Sequence, residues 1–142
     1  MQQSETTVAE IQRLFEVVDR DLADARVKGL SADGRFQHAY DAALQLCMIP
    51  LRASGYTVPK GQGHHKRAID SLRYTLGSSF AETADYIERC SRLRSQSIYE
   101  RTGVISKDEA AELVKTSGHL RDEVVAWLKA NYAVLVPPNL QA

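Results

Sequence analysis

Two long segments of this chain place apolar residues at steps of three and four, a period that restricts them to helices. In the first, Val8, Ile11, Phe15, Val18, Leu22 and Ala25 fall on one stripe. In the last, Ala110, Leu113, Leu120, Val124 and Trp127 do so, with Ser117 in register. Each stripe opens on a hydroxyl followed three residues later by a carboxylate. Thr7-Val8-Ala9-Glu10 and Ser106-Lys107-Asp108-Glu109 have this capping-box form, in which side chains satisfy backbone amides that a helix start leaves unpaired. A stripe of this kind must be buried against another element. The chain between them offers only more helix.

A second helix is predicted from about Arg35 to Ser54, after a turn at Ser31-Ala32-Asp33-Gly34. Phe36, Tyr40, Ala43, Leu44, Cys47 and Leu51 make its stripe, and its alanine-rich middle permits close helix approach. Pro50 is expected to kink it near Leu46 or end it early, because proline lacks the amide hydrogen. Gly29 is expected to end the first helix. The run from Gly55 to Gly63 holds three glycines and a proline and reads as a loop. A short third helix follows from His64, with Ile69, Leu72 and Leu76, and ends at Gly77. Ser79-Phe80-Ala81-Glu82 has capping-box form and opens a fourth helix that reaches Tyr99 before Thr102-Gly103 breaks it. No stretch reads as a strand. Pro137-Pro138-Asn139 is expected to be an extended or mobile tail. The expectation is an all-α, single-domain antiparallel bundle of about five helices over residues 1–135, with a C-terminal tail at 136–142.

Composition narrows the function classes. Eighteen basic and eighteen acidic residues give zero formal net charge, so any contact with nucleic acid needs a local basic patch. No apolar run approaches the roughly 20 residues that span a bilayer, and the first residues are polar without a signal-peptide core. A cytoplasmic location, with no membrane partner, is the expectation. Cys47 and Cys90 sit among apolar residues as two buried thiols. There is no Cys-x-x-Cys and no Cys/His zinc spacing, so neither metal nor cofactor is expected.

Two polar runs stand out. The first is Arg92-Leu93-Arg94-Ser95-Gln96-Ser97-Ile98-Tyr99-Glu100. Arginine offers a planar fork to phosphate, and a phenol can hold a ribose or a base. Arg92, Ser95 or Gln96, and Tyr99 share a helix face, whereas Arg94 and Tyr99 are about 140° apart around the axis. The alternative is a solvated face with ion pairs Asp85–Arg89 and Glu88–Arg92. The second run is Gly61-Gln62-Gly63-His64-His65-Lys66-Arg67, a glycine-rich loop feeding a helix start with cations beside it. It suits an anion but lacks the Gly-Lys-Ser/Thr of a nucleotide-binding loop. The alternative there is that His64 caps the helix and His65 packs or faces solvent. His38 and His119 stand alone on helices and read as ordinary residues.

The order of elements, Tyr40-Asp41-Ala42-Ala43-Leu44, the Gly-x-Gly-His-His loop and the Arg-x-x-x-x-Tyr run together resemble the HEPN domain over about residues 7–132. The resemblance implies an all-α bundle, often a homodimer. Many such domains are metal-independent endoribonucleases of toxin–antitoxin or other defence systems, and some accompany a nucleotidyltransferase. It assigns catalytic positions to Arg94 and Tyr99, with Ser95 at the polar position of the motif. Tyr99 stands where the family has histidine. A tyrosine with a reference pKa of about 10 is a poor base near neutrality. The implied function is therefore an RNA- or nucleotide-binding domain with a weak or inactive ribonuclease site, contacted also by Arg92, Gln96, His64, His65 and Lys66. An antitoxin or nucleotidyltransferase is the implied protein partner. The competing expectation is a non-catalytic helical module for protein–protein contact or dimerisation.

Overall fold

The apolar stripes of the sequence assemble as an all-α helical bundle. The structure, a computed structural model, describes residues 1–99 and 104–141, with side chains given except at 97–99. Its elements are β1 (Gln2–Gln3), α1 (Val8–Ala25), α2 (Ala32–Ala53), β2 (Tyr56–Thr57), α3 (His64–Asp70), α4 (Leu72–Thr75), α5 (Ala81–Tyr99) and α6 (Lys107–Asn131). Helix α2 is the centre. It packs most extensively on α1 and α6 and also touches α3, α4 and α5. Phe36, Ala39, Tyr40, Ala42, Ala43, Leu46, Cys47 and Ile49 are all buried along it, and none of its residues is fully exposed. The small residues let α6 come close: the buried Ser117 hydroxyl donates to the Ala39 carbonyl at 3.1 Å. The stripes of α1 and α6 bury Ile11, Phe15, Val18, Leu113, Val124 and Leu128 against this core.

Helix boundaries depart from the sequence expectation where side chains compete for the backbone. Helix α1 ends at Ala25, four residues before Gly29, and the turn that follows contains Gly29 at φ +86°. The Arg35 guanidinium closes this end by donating to the carbonyls of Ala25 and Val27. Ser31-Ala32-Asp33-Gly34 is not a free turn. Ser31 is the N-cap of α2, and its hydroxyl accepts from Gly34 N at 3.0 Å. Pro50 does not end α2 early: it lies in the last turn, where only one amide hydrogen bond is lost, and the helix runs on to Ala53. The Pro50 carbonyl accepts from both the amide and the hydroxyl of Ser54.

Of the three capping boxes, one forms in full. Ser106 Oγ accepts from Glu109 N at 3.0 Å, and Glu109 Oε1 accepts from Ser106 N at 2.9 Å. Ser106→Ala is expected to lower stability by about 1 kcal/mol in chemical denaturation. At the start of α1 only Thr7 caps, because the Glu10 carboxylate turns to Thr6 and Arg52. At Ser79 there is no box: Ser78–Phe80 is a 3-10 turn leading directly into α5. The third helix is divided at Ser71, whose hydroxyl donates to the Ala68 carbonyl at 2.6 Å.

Two further elements escaped the period. Gln2–Gln3 pairs antiparallel with Tyr56–Thr57. The tail is not extended: Pro138–Leu140 forms a 3-10 turn, Val136 is buried, and Leu140 packs against the core. Among the described residues no helix is long and apolar enough to cross a membrane.

Candidate functional site

The phenol of Tyr40 is where the two polar runs meet. Tyr40 is wholly buried on α2, and a buried phenol needs a hydrogen-bonding partner. It has two: His65 Nδ1 on α3 at 3.0 Å and Ser91 Oγ on α5 at 3.2 Å. The Arg94 guanidinium carbon lies over the Tyr40 ring, 5.1 Å from its centre. That is cation–π distance. Arg94 Nε donates to Gln37 Oε1 at 3.1 Å, and Gln37 Nε2 donates to Asp41 Oδ1 at 3.0 Å. Arg94 and His65, 29 positions apart in the chain, thus both contact one tyrosine.

Helix geometry explains the convergence. Gln37, Tyr40 and Asp41 stand three and four residues apart on α2 and share a face. Ser91 and Arg94 do the same on α5. The loop before α3 turns through Gly63 at φ +78°, which a side chain rarely adopts, and a Cβ there would stand 3.1 Å from Arg67 Nη1. Arg67 braces the loop by donating to the carbonyls of Gln62 and Pro59. His64 does not cap α3: Gly63 is its N-cap, and the His64 Nδ1 faces the Pro59 carbonyl at 3.4 Å. His65 points inward to Tyr40 and remains half-buried.

The electrostatics of the cluster suit a neutral base. Burial, then the charge of Arg94, then His64 hold the His65 pKa below the usual imidazole value, and Asp41 partly opposes them. Burial holds the Tyr40 phenol above its usual value, so it stays protonated. One phenolic proton cannot serve both neighbours as donor. When Tyr40 donates to Ser91 Oγ, it accepts from His65 Nδ1–H, and the Nε2 lone pair is left free to take a proton. His65 also borders a depression of about 420 Å³ lined by Lys60, Gly61, Gly63, His64 and Lys66. The His64 and His65 ring centres are 5.9 Å apart.

A titration checks this directly. His65 is expected to titrate below about 6.5, and Arg94→Gln is expected to move its midpoint up, as read by imidazole proton resonances. Because the native pKa lies below the unfolded one, the unfolded chain binds the proton first. Stability from this group is therefore lost as pH falls below about 6.5 and is unaffected above it.

The other residues singled out in the sequence lie elsewhere. Arg92 is exposed and donates to Glu88 Oε1 at 2.8 Å. With Gln96 it lines a cleft that also holds Glu109 and Glu112, acids that oppose a phosphate. Asp85 pairs with Arg73 at 2.7 Å and not with Arg89. Ser95 is exposed, and its hydroxyl returns to the Ser91 carbonyl. Lys66 is exposed at the depression beside His65. The side chain of Tyr99 and all of Glu100 lie outside the described residues. Both thiols are buried and free; burial pushes Cys47 up to about 12 and Cys90 up to about 11, which leaves neither nucleophilic near neutrality.

Sequence reasoning missed Tyr40, Gln37, Asp41 and Ser91 as parts of a site. Tyr40 fits the apolar stripe of α2, and only its hydroxyl signalled a polar partner. Compared with protein-family models, curated proteins and solved structures, the chain matches none of them.

Proposed function

We propose that this chain is a HEPN-like RNA-binding domain that engages the ribose–phosphate backbone at Arg94 and His65, the two side chains that the buried Tyr40 holds in place. The observation that carries the reading is the Tyr40 side chain, whose phenol is bonded to His65 and whose ring lies under Arg94. A guanidinium is a recurrent phosphate ligand. Lys60 and Lys66 extend the positive surface past His65. The family resemblance adds a homodimer, a cytoplasmic setting in a defence or toxin–antitoxin system, and an antitoxin or nucleotidyltransferase partner.

The same cluster supports slow, metal-independent cleavage. His65 Nε2 takes the proton of a ribose 2′-hydroxyl, whose oxygen attacks the adjacent phosphorus. A 2′,3′-cyclic phosphate forms, the bond to the 5′-oxygen breaks, and that oxygen takes a proton from solvent. Arg94 stabilises the charge on the phosphoryl oxygens. In this reading His65 replaces the histidine missing at Tyr99.

Binding tests the first claim. Affinity for single-stranded RNA is expected to fall with rising salt, and Arg94→Ala is expected to weaken it about tenfold and flatten the salt dependence. Arg92→Ala, on the acid-lined side of α5, is expected to change it less than twofold.

A second reading rests on a different surface. Tyr56, Tyr74, Trp127 and Tyr132 line an open cleft of about 780 Å³ with Met1 and Leu51. Tyr74 is 79% exposed. Exposed aromatic surface of this kind fits a protein-interaction module. An Arg94→Ala variant with unaltered RNA affinity, beside a Tyr74→Ala variant that loses a protein partner, would favour it.

A further inference from the structure

We propose that Asp21, Asp24 and His38 form a binding site for one divalent transition-metal ion of the zinc class. Asp21 and Asp24 stand three apart on α1, and His38 reaches them from α2. One donor atom from each lies within 4.8 Å of the others. The three residues come from the two most extensively packed helices, so the site is set by the core and not by a loop.

The His38–Asp21 separation is informative. His38 Nδ1 lies 3.4 Å from Asp21 Oδ1, longer than the roughly 2.7–3.2 Å of a good N–H···O bond. Two ligands of a four-coordinate ion with bonds of about 2.0–2.1 Å stand about 3.3 Å apart. The spacing fits two ligands of one cation as well as it fits a long hydrogen bond. The Asp21 side chain is only 7% exposed, yet the arginine paired with it, Arg20 at 3.8 Å, is itself 66% exposed. Asp41 adds further negative potential at Asp21. A buried carboxylate beside two other acids is stabilised by a cation inserted among them.

Donor chemistry selects the ion. One imidazole with two carboxylates suits zinc, cobalt or manganese, whereas calcium and magnesium favour all-oxygen sets. Three protein ligands leave a position for water. The His38 side chain is 36% exposed, which gives the ion a way in. No cysteine takes part, and the ligands are divided between two helices, so spacing rules do not reveal the site. The proposal does not depend on the RNA reading.

Metal-free protein titrated calorimetrically with Zn²⁺ at pH 7 is expected to bind one ion, and Co²⁺ to give the visible absorption of a four-coordinate site. His38→Gln and Asp24→Asn are each expected to weaken Zn²⁺ binding at least about a hundredfold, beyond the loss typical of residues that merely orient ligands. His119→Ala, an exposed histidine on α6, is expected to leave it unchanged. Circular dichroism checks that the variants fold. Absence of Zn²⁺ binding by the wild type would reduce the trio to an interhelical ion pair and overturn the proposal. So would Zn²⁺ binding that survives in both His38→Gln and Asp24→Asn, or that is lost only in His119→Ala.

Discussion

Arg52→Met is expected to lower the folding stability by about 3 kcal/mol, the largest loss from any charged side chain described here. Arg52 is buried at 7% exposure, and its guanidinium donates to four acceptors. Nε donates to Glu10 Oε1 at 2.8 Å, Nη1 to the carbonyls of Ser4 and Tyr56 at 3.1 and 3.0 Å, and Nη2 to the Glu5 carbonyl at 2.9 Å. Removing it strands three carbonyls and frees the segment that carries β1. Hydrogen bonds to charged groups are worth about 1.5–3 kcal/mol, and breaking a buried pair costs about 3–5. The partial exposure of Glu10 places the expectation at the low end. Lysine cannot reproduce the planar fork, so Arg52→Lys is expected to recover less than half of the loss. Urea denaturation measures both.

The pH dependence carries its own sign. The hydrogen bond from Thr6, followed by that from Arg52, holds the Glu10 carboxyl below its usual value against the cost of burial. A depressed carboxylate contributes stability that is present above its unfolded pKa and is lost as pH falls through the folded one. The gap between wild type and Arg52→Met is therefore expected to be full above about pH 4.5 and to narrow below it. A gap that stays constant down to pH 2 would remove Glu10 from the account.

His65→Ala is expected to reduce RNA cleavage by about 10²–10⁴-fold, the usual worth of a positioned base, while changing RNA affinity less than threefold. Arg94→Ala is expected to lower both, because a phosphate ligand acts in the ground state as well as in the transition state. Tyr40→Phe separates position from chemistry. It keeps the ring under Arg94 but removes the bond that orients His65. Cleavage is expected to fall about tenfold, and the acid limb of its pH profile to shift, with affinity unchanged. A Tyr40→Phe variant with the wild-type profile would show that the phenol does not orient His65.

Much of the bundle was legible because period and chemistry agree. The stripes of α1 and α6 lie on amphipathic helices whose caps, Thr7 and Ser106, are encoded beside them. Boundaries were misread where a long-range partner decided them. Glu10 abandons its capping role for Arg52, and Arg35 closes α1 from the next helix. Pro50 reads as a break, yet it falls where the helix was about to end. The β1–β2 pair, two residues on each side, is too short to show a period.

The site was half legible. Arg94 and His65 stood out as polar residues in chemically suggestive runs, but nothing in linear spacing joins positions 65 and 94. Their convergence depends on α3 and α5 both packing on α2, where each touches Tyr40. Arg92 and Gln96 looked like companions of Arg94 because they are near in sequence. The turn of α5 sends them to a cleft lined by Glu109 and Glu112 instead. Asp21 and His38 were unremarkable alone and become a pair only across the α1–α2 interface.

The most direct test of the central claim is incubation of the protein with single-stranded RNA in chelator, beside His65→Ala and an RNA carrying a single 2′-deoxy sugar. The account predicts salt-sensitive binding by both proteins. It also predicts slow cleavage by the wild type alone, ending in a 2′,3′-cyclic phosphate and abolished at the 2′-deoxy position. Cleavage that persists undiminished in His65→Ala would contradict the assignment of the base. Absence of both binding and cleavage would contradict the RNA reading and turn attention to the aromatic cleft at Tyr74 and Trp127.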